Sequence, residues 1–598
     1  MAELAAGRAW EVAHKVSQYR RVLAAIAVAM LVAACSQTAA PSAAPSAATA
    51  TPVPVARGQG GDLKILYWQA PTILNGHQAG GTKDADASRM VLEPLAAFDP
   101  SGAAVPRLAV EIPTVANGGV SADLTTVTWK LKQNVKFSDG SPFSADDVVF
   151  TYTYVCDPKT GSTSFGQCEG VKSVTKKDAS TVVVTYAAAQ PFYLQWGAGT
   201  SGEVLSSIAW KDCLGEKAKT CPVDQKPIGT GPYKVREFKP GDVILFDMNE
   251  NYREPTKPYF KSVTWKGGGD ATAAARAVFQ TGDIDYGWNL QVEATVLKGM
   301  ATGSTTGVLK SVYANSIERL VLNRADPSAS QGENRSEPST KHPYLSDKSV
   351  RRALAMATDR NTVAEQIYGA GLTGRSSCNA WNGGDAESKN TAGLDVCKFD
   401  LAAANAELDK AGWVKGADGV RAKGGVRLEM TYQTTINSVR QKNQEVNKTN
   451  WEKIGFKVTL KTVDAGVFFT NTSPDGYAKF FADIEEFANS AGPPDIATFF
   501  NDWTCKQASS KANDWQFGNK ERYCNADYDK LVDQLRKEPD RAKANALAIQ
   551  LNDILVSDVV IIPLINRTSA TAGVSKGMKN VELSGWDSEM WDVANWGK

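Results

Sequence analysis

From Gly60 to the C-terminus, stretches with the period of a β-strand alternate with stretches with the period of a helix. That alternation narrows the fold before any single residue is considered. GGDLKILYWQ (Gly60 to Gln69) reads as a first strand, and RMVLEPLAAFDPSG (Arg89 to Gly102) as a helix ending in a turn. Val127, Trp129 and Leu131 alternate as a strand; a turn follows at Asp139-Gly140, then a helix starting near Ser144 with Asp146 and Asp147 in its first turn. STVVVTY (Ser180 to Tyr186) is a further strand, and Gly229 to Tyr252 a hairpin around Pro240-Gly241. Val350 to Gly371 and Leu401 to Trp413 read as helices, Val426 to Tyr432 as a strand, Asn443 to Asp464 as helix then strand, and Arg541 to Asp558 as a long helix before the strand VVIIPLI (Val559 to Ile565). Such interleaving predicts an α/β fold. The chain has 598 residues. A single core stops growing at about 250–300 residues, so two or more lobes are expected.

The N-terminal segment predicts where the chain works. Arg20 and Arg21 precede an apolar run, Val22 to Ala34, of only 13 residues. A membrane-spanning helix needs roughly 20. A basic stretch, a short apolar stretch and small residues at its end make a secretory signal. Its last residues, Leu31 to Cys35, read LVAAC, and Ala33-Ala34-Cys35 resembles a lipobox. Residues 1–34 are therefore expected to be a lipoprotein signal peptide and Cys35 the lipidated mature N-terminus. Residues 35–57 form an Ala/Pro/Ser/Thr-rich tether with no charge before Arg57, a composition that cannot bury a core. Without residues 1–34 the chain holds 62 basic against 63 acidic side chains. That balance provides no footprint for nucleic acid, and membrane contact is expected only through the anchor.

Apart from Cys35 there are eight cysteines, in four sequence-local couples: Cys156 and Cys168, Cys213 and Cys221, Cys378 and Cys397, Cys505 and Cys524. In an exported, oxidising setting, four disulfides closing short loops is the economical reading. No CxxC couple supports zinc. Catalytic constellations are also missing: there is no GxSxG, HExxH, GxxxxGK[ST] or GxGxxG, and beyond the signal the chain has two histidines, His77 and His342. No enzyme activity, cofactor or metal is expected.

In sequence order, VLEPLAAFDPSG, TWKLKQNVKFSDGSPFSADDVVFTY, IGTGPYKVREFKPGDVILFDMNENY, TGDIDYGW and VRRALAMATDR resemble the extracellular solute-binding proteins of family 5, the oligopeptide, dipeptide and nickel binding group. The resemblance covers Gly60 to Lys598. It implies a periplasmic-binding-protein-like type II fold with two lobes, a hinge and an extra α/β domain. Lobe I is expected at 58–98, 228–315 and 559–598, the extra domain at 99–227 and lobe II at 316–558. It further implies a monomeric substrate-binding component of an ABC importer outside the cytoplasmic membrane. Such a component encloses a peptide or other small solute by hinge closure and delivers it to permease subunits. Rival readings are an oligosaccharide binder of the same fold, a surface sensor or chaperone, and a hydrolase.

Candidate ligand-binding residues follow from where the family's segments meet the cleft. They are Trp68 at the end of the first strand, Asn75 and His77 in the loop after it, Trp288 and Asn289 after GDIDYG, and Trp503. In peptide-binding relatives a Trp and an Asp precede a proline, and the Asp pairs with the ligand's α-amino group. Aligning EEFANSAGPPD on Pro493 puts Asn489 at the Asp position and Phe487 near the Trp, with Ser490 beside them. Asn can accept a hydrogen bond from ammonium but supplies no charge. Glu485 or Glu486 could take the acid's place.

Overall fold

A computed structural model describes residues 57–369, 371–490 and 496–598. The expected signal, Cys35 and the expected tether up to Ala56, and Gly492 to Pro494, lie outside the described residues.

Two sheets carry the two lobes. The first has seven strands, in the order Gly307–Val312, Ala570–Ser575, Tyr286–Gly287, Asp62–Tyr67, Ser262–Gly267, Val243–Met248 and Tyr233–Lys239. Its central strand, Asp62–Tyr67, runs parallel to both neighbours. Leu63, Ile65 and Tyr67 alternate into a core with Phe246, Trp265 and Tyr286, the expected result when one face of each strand turns inward. The second sheet has six strands, in the order Gly374–Ser376, Ile561–Arg567, Ser316–Leu322, Ile484–Ser490, Glu429–Thr435 and Lys457–Val463. Helix Ser438–Lys453 connects the last two, which pair in parallel, and its Trp451 packs with Leu320, Tyr432 and Ile562. The α/β class expected from the periodicity is what the chain forms.

A third unit has its own three-stranded antiparallel sheet, Thr126–Lys130, Thr181–Tyr186 and Val171–Asp178, packed around Phe137, Trp129 and Val182. Helix Ala145–Cys156 belongs to it. Ser144 caps that helix, and its own backbone N–H donates to the Asp147 carboxylate at 2.8 Å, a capping box.

Two expectations are corrected. The stretch from Arg89 to Gly102 is not a helix: the helix is Thr82–Arg89, and Ala96–Phe98 is a strand. Pro94 cannot continue a helix, and residues 90–98 are buried throughout, so packing overrides the helical spacing. The second correction concerns the return to lobe I. Strand Ile561–Arg567, expected there, pairs with Ser316–Leu322 and Gly374–Ser376 in the second sheet. The chain changes sheets only between Arg567 and Ala570. The reverse change occurs between Val312 and Ser316, and the two crossings lie side by side. Ala314 N–H donates to Ser569 Oγ at 3.1 Å, and Ser569 N–H to Val312 O at 2.8 Å.

The cysteines pair as Cys156–Cys168, Cys213–Cys221, Cys378–Cys397 and Cys505–Cys524. Among the described residues, no helix is long and apolar enough to cross a membrane.

Candidate functional site

Beside the two crossings, the sheets face each other over a cavity of about 360 Å³. It is continuous, through shared residues Gly80, Lys83, Phe469 and Gln516, with a region of about 980 Å³ reaching the third unit at Ser162 and Phe165. Both volumes lie in the range of ligand pockets, about 300–1,000 Å³.

The first sheet contributes the turn after Tyr286–Gly287. Trp288 lines the cavity and stacks on Tyr67, centroids 4.5 Å apart and planes within 6°. Trp68 lies behind it, its Nε1 donating to Asn289 O at 2.9 Å. Asn289 lines the cavity with a backbone φ of 49°, the left-handed region that Asn tolerates, and its Oδ1 accepts from Arg567 Nη2 of the second sheet at 2.9 Å. Glu589 also lines the cavity. Burial and the neighbouring Asp86 push its pKa well above the usual carboxylate range.

The second sheet contributes its middle strands. In antiparallel register Arg319 faces Phe487 and Ile317 faces Asn489, so Arg319, Phe487 and Asn489 share one face. All three line the cavity, as does Ser490. Ser490 Oγ lies 2.8 Å from Ser316 Oγ. Phe487 packs edge-on against Phe469 and Tyr477, which form an aromatic wall. Trp503 is 1% exposed and does not line the cavity; it backs Arg319, whose guanidinium carbon lies 5.3 Å from its ring centroid. On the strand's other side, Pro563 has no N–H for the ladder, and the pairing slips between Glu318 and Arg319 opposite it.

Charges cluster here. Glu318 is fully buried and bonds Arg440 Nε at 2.7 Å and Arg567 Nη1 at 3.3 Å. Burial alone would raise its pKa, but the two guanidinium groups hold it below the usual carboxylate range. Asp502 opens on the cavity, and burial lifts it to about 6 against the pull of Arg319. Lys520, also lining it, is lowered to about 7 by burial and by Arg522; its Nζ donates to Trp515 O at 2.8 Å.

Of the sequence candidates, Trp288, Asn289, Phe487, Asn489 and Ser490 come together on the cavity, while Trp68 and Trp503 stand directly behind it. Asn75 and His77 do not reach it. Both are fully buried where lobe I meets the third unit. The Asn75 side chain accepts from His77 N–H and donates to Tyr154 Oη at 3.1 Å and Asp224 Oδ1 at 2.9 Å. His77 Nε2 donates to Glu203 O at 2.7 Å, which leaves Nδ1 to accept from Ser164 at 3.1 Å. The loop turns inward because its polar groups are satisfied by the third unit rather than by solvent. Glu485 and Glu486 are fully buried too: Glu485 accepts from Gln433 at 2.8 Å, and Glu486 accepts from Asn443 at 2.8 Å and from Tyr432. Neither lines the cavity. The acid that does so in lobe II, Asp502, and the arginines 319, 440 and 567 were missed. They lie far apart in sequence and carry no local motif.

Residues 104–511 match the family model described as bacterial extracellular solute-binding proteins, family 5 Middle. The chain belongs to that family. It is 27% identical over 490 residues to the oligopeptide-binding protein AppA of Bacillus subtilis, covering 81% of this chain and 82% of that protein. The solved structure of AppA with a nonapeptide superposes with a TM-score of 0.76 at 23% identity, covering 90% of this chain and 99% of that one. The structure of NikZ from Campylobacter jejuni with Ni(L-His) superposes with a TM-score of 0.74 at 22% identity, covering 90% and 99%. As a family 5 solute-binding protein, the chain has its cavity where the two lobes meet. Among the described residues, no group of three or more His, Cys, Asp or Glu side chains is placed to hold a metal ion.

Proposed function

We propose that this family 5 protein is the substrate-binding component of an ABC importer and that its cargo is a peptide. It takes the peptide between the lobes, closes about the crossings at 313–315 and 568–569, and presents the closed form to permease subunits. The carrying observation is the extended polar cavity between two lobes, with the paired crossings of the described chain beside it. A peptide needs main-chain hydrogen-bond partners along its length and room for varied side chains. Asn289, Gln291, Ser316, Asn489, Ser490 and Gln516 provide amides and hydroxyls along one cavity. The oligopeptide-binding protein AppA, similar over most of its length, supports peptide over other solutes.

Export behind residues 1–34, lipidation at Cys35 and a flexible tether over 35–57 complete the reading. They hold a monomeric capture domain at the outer face of the cytoplasmic membrane. The protein turns nothing over and uses no cofactor.

The test is thermal shift of the purified protein against a mixed peptide pool and an oligosaccharide panel. A peptide at 100 times its Kd stabilises by about 2.7 kcal/mol. A shift with sugars alone defeats the peptide assignment.

A further inference from the structure

The larger part of the cavity runs between two loops, each closed at its base by a disulfide. Cys156–Cys168 closes residues 157–167 of the third unit, which line the cavity with Gly161, Ser162 and Phe165. Cys505–Cys524 closes residues 506–523 of the second lobe, which line it with Trp515, Gln516 and Phe517. The two loops meet. Gly161 has a φ of 66°, and a methyl group added there would stand 2.7 Å from Gln516 Nε2, so the absence of a Cβ permits the approach. Beside them, Lys219 Nζ of the third unit lies 3.8 Å from Asp514 Oδ2. These two side chains also line the cavity and are 41% and 73% exposed, which puts the meeting line where the cavity reaches solvent.

The second-lobe loop has little regular structure to hold it. It contains two single turns, Cys505–Gln507 and Lys511–Asn513. Asp514 and Trp515 follow in the left-handed region, with φ of 51° and 62°. That region disfavours a side chain as bulky as Trp, and such a conformation persists only where the surroundings fix it. The loop fixes it from within: Trp515 N–H donates to Ser510 O at 2.9 Å, and Trp515 O accepts from Lys520 Nζ at 2.8 Å. At the base, Asn519 Nδ2 donates to Thr504 O at 3.0 Å and to Tyr523 O at 2.6 Å, next to the disulfide. Ordering a loop costs conformational entropy at every residue fixed. A loop already tied at its base has lost part of that freedom, so it closes on its partner at a smaller cost than an untied one.

We propose that the loops at 157–167 and 506–523 are the lips of the cavity, sealing at Gly161 and Gln516, and that the Cys505–Cys524 disulfide holds the second-lobe lip in its sealing conformation and so slows release of the captured molecule. The inference rests on the capture reading above and adds how that site retains what it takes. The disulfide is a positioning element here: it acts through the residues of the loop it closes.

The probe is a synthetic library of random tripeptides. The purified protein is loaded with it and freed of unbound peptide by gel filtration. After timed incubation it is filtered again, and the retained peptides are quantified by mass spectrometry. Cys378–Cys397 is the control disulfide: it has the same sequence separation, 19, as Cys505–Cys524, and none of residues 379–396 lines the cavity. Cys505→Ser with Cys524→Ser should speed release about fivefold or more. Cys378→Ser with Cys397→Ser should lower the melting temperature, since an equal loop constraint is lost, yet leave release within about twofold of the native rate. Should the first pair fail to fold, Lys219→Glu decides. It sets a like charge against Asp514 at an exposed position and should speed release about twofold or more in low salt, with the difference gone near about 1 M. Equal release from the two double variants, or unchanged release in a folded lip variant, overturns the lip while leaving peptide capture intact. No peptide retained by the native protein overturns the capture reading and the lip together.

Discussion

His77 illustrates how far a residue's surroundings can move its chemistry. Burial lowers its pKa from the ordinary 6.5 to about 4, against the upward pull of the Glu203 carbonyl. Between those values the unfolded chain takes up a proton and the folded chain does not. Stability therefore falls as pH drops from 6.5 towards 4, by up to about 3 kcal/mol for this one group. Glu203 acts in the opposite sense: burial raises its pKa to about 8, so the folded chain holds its proton more tightly between 4.5 and 8. The His77 contribution is isolated by comparing urea unfolding of the native protein and His77→Gln across pH 5 to 6.5. The variant should show the shallower acid loss; equal slopes would remove His77 as the source. The histidine was visible in the sequence, but its burial was not, since the groups that hold it, Ser164 and Glu203, lie 87 and 126 residues away. Asn489 and Phe487 were legible because a local pattern marks them. Arg319 was not, since one arginine in an otherwise apolar strand looks the same whether it faces a cavity or a partner.

At the scale of elements, local sequence rules held where the chain satisfies its own backbone. The helix beginning at Ala145 was readable because Ser144 and Asp147 cap it within one turn. Ser144→Ala should cost about 1 kcal/mol, read as a lower urea midpoint with an unchanged slope. A change below a tenth of that size would mean that packing alone sets the helix start. Local rules failed between Arg89 and Gly102, where every residue from 90 to 98 is buried and partners outside the segment decide its conformation. They also failed for Ile561–Arg567: an apolar run reads as a buried strand, but nothing within it specifies which sheet it joins. The disulfides were readable because each closes a loop of 8 to 19 residues, too short to bring in distant partners.

For the whole molecule, contacts also join the third unit to the second lobe far from the crossings. Glu169, next to Cys168 in the third unit, pairs with Lys506 and Arg536 of the second lobe and accepts from Asn501 at 3.3 Å. Lys506 follows Cys505, so disulfide-closed loops support both sides. The three charged side chains are 19–56% exposed, and exposed pairs of this kind contribute little, about 0.2–1 kcal/mol. Glu169→Gln should therefore speed peptide release only about two- to fivefold at physiological salt, with the difference vanishing near 1 M salt, where screening is complete within about 3 Å. Stopped-flow tryptophan fluorescence measures both; a salt-independent effect would mean the contact works through packing instead. The residue sequence carried the α/β class, the order of segments, the family and the disulfide pairs, because each depends on period, spacing or near neighbours along the chain. The cavity's charge, the inward turn of Asn75 and His77 and the placing of Arg319 and Asn489 on one sheet face depend on strands that meet only after folding. Register between strands 170 residues apart is set by tertiary packing, and that register decides which groups share a face.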